Sequence, residues 1–576
     1  MSAGPLSPTI SQGEYSRLFA RDGFGVVSST EYLSRGAWTQ SGAQFGVFGN
    51  LSYDVEALYR SDPGQRANND IEQRQLSLTL KQQLTPKDSV YLNVEQYDAN
   101  FGDLQQYYDP NLANPDVRLK ETQNPIVSLG YNREWSPGVH TLFFATRLND
   151  TISFTNLAGP TLVEFTPGFP PAPPMLSSVQ GLTMREHYVD RLTIYSGELQ
   201  QIWEQPAHTT VIGTRIQYGH FDTANLQDTP STLAGVFASP AADQDNASLF
   251  RRISFYGYHQ WQIFEPLQLI GGVAYDRITF PENFRTAPVS GNGRTENQIS
   301  PKAGMIWTPL KDSTVRFAYT RSLAGASVDQ SYQIEPSQVA GFVQSFRSVI
   351  PESIAGGNAG AKFETFDLSL EQKFRTGTYL AISGEILNST VNRIAGAFDY
   401  NPFSPVLPNP APAGMRENLD CQEKSLQFTA NQLLGRGWAF GAKYRVSEAV
   451  LNDNFPDVPD GLFFSNFQPR QRTRGTLNRL DLTAIYNHPC GFFAEGEARW
   501  FDQSNGGYPN ATTAAESGGD FWQFNLFAGW RFLHRKAELS AGLLNVAGQD
   551  YRLNPLNIYN ELPRSRTLAM RLQINF

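Results

Sequence analysis

The ten residues that end the chain, Thr567 to Phe576, alternate strictly in character. Leu568, Met570, Leu572, Ile574 and Phe576 occupy one set of positions, and Thr567, Ala569, Arg571, Gln573 and Asn575 the other. Side chains of a β-strand point alternately to opposite faces, so this is a strand with one apolar and one polar wall. The same pattern recurs upstream. Trp522, Phe524, Leu526, Ala528 and Trp530 oppose Gln523, Asn525, Gly529 and Arg531. Phe492, Ala494, Gly496, Ala498 and Trp500 oppose Glu495, Glu497 and Arg499, and Trp438, Phe440, Ala442 and Tyr444 oppose Lys443 and Arg445. A chain written this way has to find cover for many apolar strand faces at once.

The strands tile into hairpins with two kinds of connection. One kind is tight and carries turn-forming residues: Gly49-Asn50, Pro86-Lys87-Asp88, Ser136-Pro137-Gly138, Gln205-Pro206-Ala207, Glu265-Pro266, Leu310-Lys311-Asp312, Arg375-Thr376-Gly377, Gly435-Arg436-Gly437, His488-Pro489-Cys490 and His534-Arg535-Lys536. The other kind is long: Asn156–Arg185, Thr223–Asn246, Leu323–Gly360, Asn401–Glu417, Asn452–Arg474 and Asp502–Gly518. Short and long connections are expected to alternate strictly, and the count comes to about 22 strands, an even number. The first strand is expected near Gly23–Ser34.

Two folds satisfy such strands, a soluble sandwich and a membrane barrel. No stretch approaches the ~20 apolar residues of a membrane helix, and a mean hydropathy of -0.38 is compatible with a barrel, whose hydrophobicity is hidden by alternation. Tryptophan decides between them. Trp135, Trp203, Trp261, Trp307, Trp438 and Trp530 lie beside short turns, and Trp38, Trp500 and Trp522 near the opposite strand ends. An indole ring is apolar with one N–H donor, so it favours the membrane–water interface; a soluble core would hold some of these rings at strand centres. The fold expected is all-β, a transmembrane antiparallel up-and-down β-barrel of about 22 strands with short periplasmic turns and long extracellular loops. Net charge of -9 and a pI near 5.4 argue against nucleic-acid binding.

At this point the chain resembles a family. The run Tyr256–Arg277, Y-G-Y-H-Q-W-Q-I-F-E-P-L-Q-L-I-G-G-V-A-Y-D-R, is similar to the hairpin of TonB-dependent receptors that ends in an L-x-G-x-R-Y-D strand, with Ala274 where Arg is common. Ile299–Ser322 resembles the following S-P-x-x-G hairpin, and Gly542–Asn560 the N-L-x-D-x-x-Y ending. The last strand, closing on Phe576, resembles the C-terminal signature of bacterial outer-membrane barrels. The resemblance spans residues 22–576 and implies a transporter in the outer membrane of a Gram-negative bacterium. It implies outer-membrane lipid and the barrel-assembly machinery, reached through the last strand, as partners, and an unknown solute as ligand. The family carries a globular plug ahead of its barrel; residues 1–21 are too few for one and are expected to be a periplasmic or lumenal segment. TonB is a partner only where a plug lies upstream. The start, Met1-Ser-Ala-Gly-Pro, lacks a basic and an apolar leader region, so a truncated or processed chain is expected. Segments Asn68–Leu80 and Leu84–Leu104 bear a faint likeness to helical repeats, which leaves open a barrel that anchors a periplasmic repeat domain.

Charged residues on the polar registers, Asp367, Glu371, Lys373, Lys443, Arg445, Asp481, Glu495, Glu497, Arg499 and Arg571, are expected to face the lumen. They line either a conduit or a plug-docking wall, or they are the solvated wall any wide barrel needs. The tracts Gln105–Tyr108 and Phe165–Met175 are candidate ligand contacts on outer loops. Leu323–Gly360 is the candidate for an inward constriction, which is the feature of a second reading, a plug-less pore or portal. Seven scattered histidines show no metal-ligand spacing, and no cofactor is expected. No nucleophile, base and orienting group fall on neighbouring strand positions, so no enzyme is expected. Cys421 and Cys490, one near an outer strand end and one in a tight turn, are expected not to be bonded to each other.

Overall fold

The computed structural model describes residues 23–168, 175–229, 236–344, 350–404, 410–462, 467–507 and 517–576; the N-terminal segment 1–21 lies outside them. Twenty-two strands, from Gly23–Leu33 to Thr567–Asn575, form one closed sheet, each antiparallel to the next. The first strand pairs with the last, from Val27 opposite Asn575 to Leu33 opposite Ala569. Val26 and Phe576 exchange backbone hydrogen bonds of 3.0 and 2.9 Å. Among the described residues this sheet has no open edge, as a barrel in lipid requires.

All ten tight connections form turns at one end of the barrel. Gly49-Asn50 joins the paired residues Phe48 and Leu51, and Glu265-Pro266 joins Phe264 and Leu267. At Ser136-Pro137-Gly138 the glycine has φ +78, and a Cβ there would sit 2.7 Å from the Glu204 carbonyl oxygen, so only glycine fits both constraints.

The other end departs from the expected loops. Asn156–Arg185 is mostly an extension of the wall: one strand continues to Phe165 and the next begins at Ser178, with a register shift between Asn156 and Gly159. The strands flanking Asn401–Glu417 likewise run to Tyr400 and from Ala411. These extensions persist because each pairs along its length with a hydrogen-bonded neighbour, whatever its polarity. Length alternation is not strict either. The connection 34–37 spans only four residues, between Leu33 and Trp38, and Arg35 is held there by Asp62 at 2.5 Å. Asn68–Leu80 and Leu84–Leu104 are not helical. They form the strands Ile71–Thr85 and Asp88–Phe101. Helix among the described residues is limited to single turns such as Glu352–Ala355.

Wall polarity follows the alternation. Trp522, Phe524, Leu526 and Trp530 are exposed on the outer surface, whereas Phe521, Gln523 and Asn525 are buried on the inner one. The first two strands are the exception. Their outward positions between Tyr32/Trp38 and Phe48 include Ser28, Thr30, Gln40 and Gln44. Gln40 donates to Ser28 Oγ at 3.0 Å and Gln44 to the Tyr53 hydroxyl at 2.7 Å, so these polar groups satisfy one another. Cys421 is buried, Cys490 is exposed, and both are free thiols.

Leu526 stands midway between Trp522 and Trp530 on the outer face. Leu526→Arg is expected to destabilise the barrel by about 2–4 kcal/mol in a urea titration in bilayers. Thr483→Arg, on the inner wall nearby, is expected to cost under about 1 kcal/mol.

Candidate functional site: a lumen divided in two

A water-filled barrel should have a polar interior, yet one side of this one does not. From Asp88–Phe101 round to Ser313–Leu323, the inner positions include Leu142, Phe144, Leu148, Leu192, Ile194, Phe221, Phe250 and Ile278, all buried. What covers them includes Ala326, Tyr332 and Ile334 of residues 324–344, which turn into the barrel instead of outward.

The described part of this segment can be followed down the wall. The Tyr332 hydroxyl donates to Glu95 Oε2 at 3.0 Å. The Ile334 N–H donates to Glu198 Oε2 at 3.1 Å, and the Ile334 carbonyl accepts from Gln200 at 2.8 Å. Glu335 accepts from the Tyr258 hydroxyl at 2.7 Å and lies 3.9 Å from the Lys302 ammonium. A small hairpin follows, Gln338–Val339 paired with Phe342–Val343, turned at Ala340 (φ +51) and Gly341 (φ +87). Val339 and Ala340 pack over Gly304, where a Cβ would come within 2.8 Å of Val339. Gly341 lies beside Arg316, close to the tight turn at Lys311-Asp312. The segment therefore descends from the long-loop end almost to the short-turn end. Ile350 then packs with Ala361, Phe363 and Leu556 on its return.

Charge fixes the upper part. Arg252 is 1% exposed, with Asp276 at 2.8 Å on its own wall and Asp329 of the inserted segment at 3.5 Å. Its guanidinium also donates to the Leu323 carbonyl at 3.1 Å. Asp329 accepts the N–H groups of Ala326 and Ser327 at 2.9 and 3.0 Å. Ser254 donates to Asp276 at 2.5 Å. Each charge in this dry site thus has a counter-charge and hydrogen bonds, without which its burial would be prohibitive.

The opposite wall is different. Asp367, Glu371, Lys373, Lys443, Arg445, Asp481, Glu495, Glu497, Arg499 and Arg571 all lie on inward registers of their strands. Most are half-exposed and cross-paired: Glu371 with Arg316 at 2.9 Å, Arg445 with Glu423 at 2.9 Å, Asp481 with Arg479 at 2.7 Å, Arg499 with Glu497 at 2.8 Å, and Arg571 with Glu31 at 3.0 Å across the closing seam. Lys373 and Lys443 are exposed, and Asp367 sits opposite Glu385. The inserted segment covers the first of these walls and reaches only the edge of the second, where its Gly341 lies beside Arg316, the partner of Glu371.

Loops narrow the long-loop mouth. Gln106 donates from its backbone to Ser353 Oγ at 2.9 Å and from its side chain to the Tyr559 carbonyl at 3.2 Å. Tyr108 bonds Gly518, and Tyr107 donates to Asp103 at 2.7 Å. In this way the tract Gln105–Tyr108 packs on neighbouring loops. The chain between Leu544 and Thr567 folds inward as well, with Tyr551, Leu553, Tyr559 and Leu562 against Leu477, Phe501 and Phe521. Part of the other tract, residues 169–174, lies outside the described residues.

On the outer surface Trp38, Trp135, Trp203, Trp261, Trp307, Trp438, Trp522 and Trp530 are exposed. Trp500 is half-buried beside Trp522, 6.3 Å between ring centroids, and donates to Asp520 at 2.7 Å. It lies well inside its strand because Phe492–Gly506 continues past the level of the ring. Leu568, Met570 and Phe576 of the closing strand are exposed outward, with Leu572 and Ile574 on the same register and partly covered.

A sequence profile described as TonB dependent receptor-like, β-barrel, matches residues 11–546. The chain belongs to that family. Similar solved structures of the TonB-dependent receptor class include the copper transporter OprC (TM-score 0.60, 13% identity, 97% of this chain and 81% of that one). The FrpB iron transporter from Neisseria meningitidis superposes with TM-score 0.62 at 12% identity, covering 97% and 83%. The ferric-catecholate import receptor Fiu from E. coli K12 gives 0.59 at 10% identity, covering 96% and 82%. At such identities the likeness shows the fold. A comparison with curated protein sequences gives no match.

Reading the sequence misses Arg252, Asp276, Lys302, Asp329 and Glu335. A signal for them existed: Leu142, Phe143 and Phe144 make both faces of one strand apolar, and an apolar inner face needs a cover. Arg252→Met is expected to leave two carboxylates without their cation, a loss of about 3–5 kcal/mol. Hydrogen exchange over residues 324–344 should accelerate by two orders of magnitude or more, with the wall strands unchanged; an unaltered rate would show that the ion cluster does not hold the segment.

Proposed function

We propose that this chain is the barrel of an outer-membrane transporter of the Gram-negative envelope, with the short turns in the periplasm and the long loops outside. It takes a solute at the loop end and passes it inward along the charged half of the lumen. The observation that carries this reading is the division of the interior. One half is dry and closed by buried ion pairs, while the other presents a continuous row of half-exposed charges from Glu371 round to Arg571. A solute path follows solvated groups, because polar cargo exchanges its water for them at little cost.

The partners follow. The exposed tryptophans sit at two levels on the outer surface and make an aromatic girdle against outer-membrane lipid. The closing strand Thr567–Asn575, with Phe576 beyond it, is the element the barrel-assembly machinery takes up. TonB engages this barrel only through a plug upstream. The structurally similar proteins include copper and iron transporters, and a metal or metal chelate is the first solute class to try.

The inserted segment supports a second reading, a pore narrowed by its own chain. Planar-bilayer recording tests it. The intact barrel is expected to show a small steady conductance that rises several-fold when residues 326–344 are replaced by a short Gly-Ser linker. A silent bilayer with both proteins would sink the pore reading and leave the transporter. If the charged half is the path, the double reversal Lys443→Glu with Arg445→Glu should move the reversal potential of the linker variant towards cation selectivity in a salt gradient.

A further inference from the structure

Two wall hairpins that are not neighbours in the barrel meet above its loop end. Val139–Phe165 belongs to one and Thr378–Tyr400 to the other. They join by a short parallel ladder: Leu162 beside Ala397, Val163 beside Phe398, Glu164 beside Asp399 and Phe165 beside Tyr400. The Thr166 N–H donates to the Tyr400 carbonyl at 2.9 Å, and Asn401 exchanges hydrogen bonds with Gly168 at 3.2 and 3.3 Å. This ladder arches across the mouth. It lies far beyond the membrane, since Glu164 follows the outward-facing Arg147 by ~55 Å of extended chain.

The third rung pairs two carboxylates. Like charges directly across a ladder repel, and apolar neighbours strengthen the effect by excluding water. Leu162, Val179, Ala397, Phe455 and Val458 pack together on the side of the ladder that carries both. The groups facing Glu164 from each described element are few. On Ser178–Gln205 its partner is the uncharged Val179. On Thr378–Tyr400 it meets Asp399, which accepts a hydrogen bond from the Thr166 hydroxyl. From the connection after Asn454 comes a third carboxylate, Asp457, engaged by the Arg416 guanidinium with one contact at 2.7 Å. Arg416 is thus already committed to Asp457.

We propose that this junction is a proton-operated latch: the arch is closed while the Glu164–Asp399 pair holds a proton and is released when both carboxylates are ionised. The proton comes from bulk solvent and returns to it. Burial, then Asp399 and then Asp457, push the Glu164 carboxyl up to about 7 in the closed arch. With the hairpins apart it would titrate as an ordinary glutamate, near ~4.3. The closed form therefore binds the proton more tightly. Closure is favoured as pH falls through 7, and the full repulsion opposes it above 7. Between pH 5 and 8.5 the closed-to-open ratio should fall roughly a hundredfold.

Spin-label distance measurement on the purified full chain tests this. Labels are placed at the exposed positions Thr183 and Ala411 as Thr183→Cys and Ala411→Cys, with Cys490→Ser removing the exposed native thiol. One short distance is expected at pH 5, and a longer, broader population at pH 8.5. Glu164→Gln should keep the short distance at both pH values, with barrel folding checked by heat-dependent gel migration. Should that variant fail to fold, Asp399→Asn must weaken the pH response without abolishing it, because burial and Asp457 still raise the Glu164 carboxyl; an undiminished response would equally overturn the latch. Identical distance distributions at the two pH values, or a pH response that survives Glu164→Gln, would overturn the latch.

Discussion

A sheet in lipid cannot leave backbone donors and acceptors unpaired, and for this chain the condition is met at one seam. Residues Val27–Leu33 and Ala569–Asn575 lie more than five hundred positions apart in sequence, yet their ladder turns an open sheet into a ring. The inner wall, the mouth and the inserted segment have meaning only once that ring exists. The seam is reinforced inside by Arg571 on Glu31, and the Lys536 ammonium stands over the Phe576 ring. An aromatic C-terminus thus finishes its strand against the preceding tight turn.

The strands, their number and the ten tight turns were legible because each depends on local chemistry. Period-two alternation marks a wall with two environments, and Pro, Gly and Asn mark turns over a few residues. The same locality explains what was not legible. Above the membrane both wall surfaces meet water, so the contrast between faces fades, and Asn156–Arg185 reads as a loop although it is largely paired strand. Trp500 reads as a strand end for the same reason. The lumen was harder still. Lys373, Lys443 and Arg445 announce an inward register because their alternates are apolar. Arg252 sits among Phe250, Ser254 and Tyr256, and its meaning depends on Asp329, which only a long-range fold can deliver.

The two halves of the interior hold charge in different ways. In the charged half the pairs are partly hydrated, so each contributes little to stability and its partners exchange readily. In the filled half, Arg252, Asp276, Asp329, Lys302 and Glu335 are almost wholly removed from water. Such a network adds little net stability over an apolar packing of the same shape, but it penalises misplacement of the segment severely. Its contribution is position: it sets where residues 324–344 sit along the wall.

That segment is joined to the wall at both ends, through Leu323 and Lys362. Its encounter with the lumen is therefore intramolecular, and the local concentration it presents is set by chain length alone. Narrowing of this barrel then does not vary with copy number, with dilution or with the supply of another polypeptide, and every molecule that closes its ring carries its own obstruction at one-to-one stoichiometry.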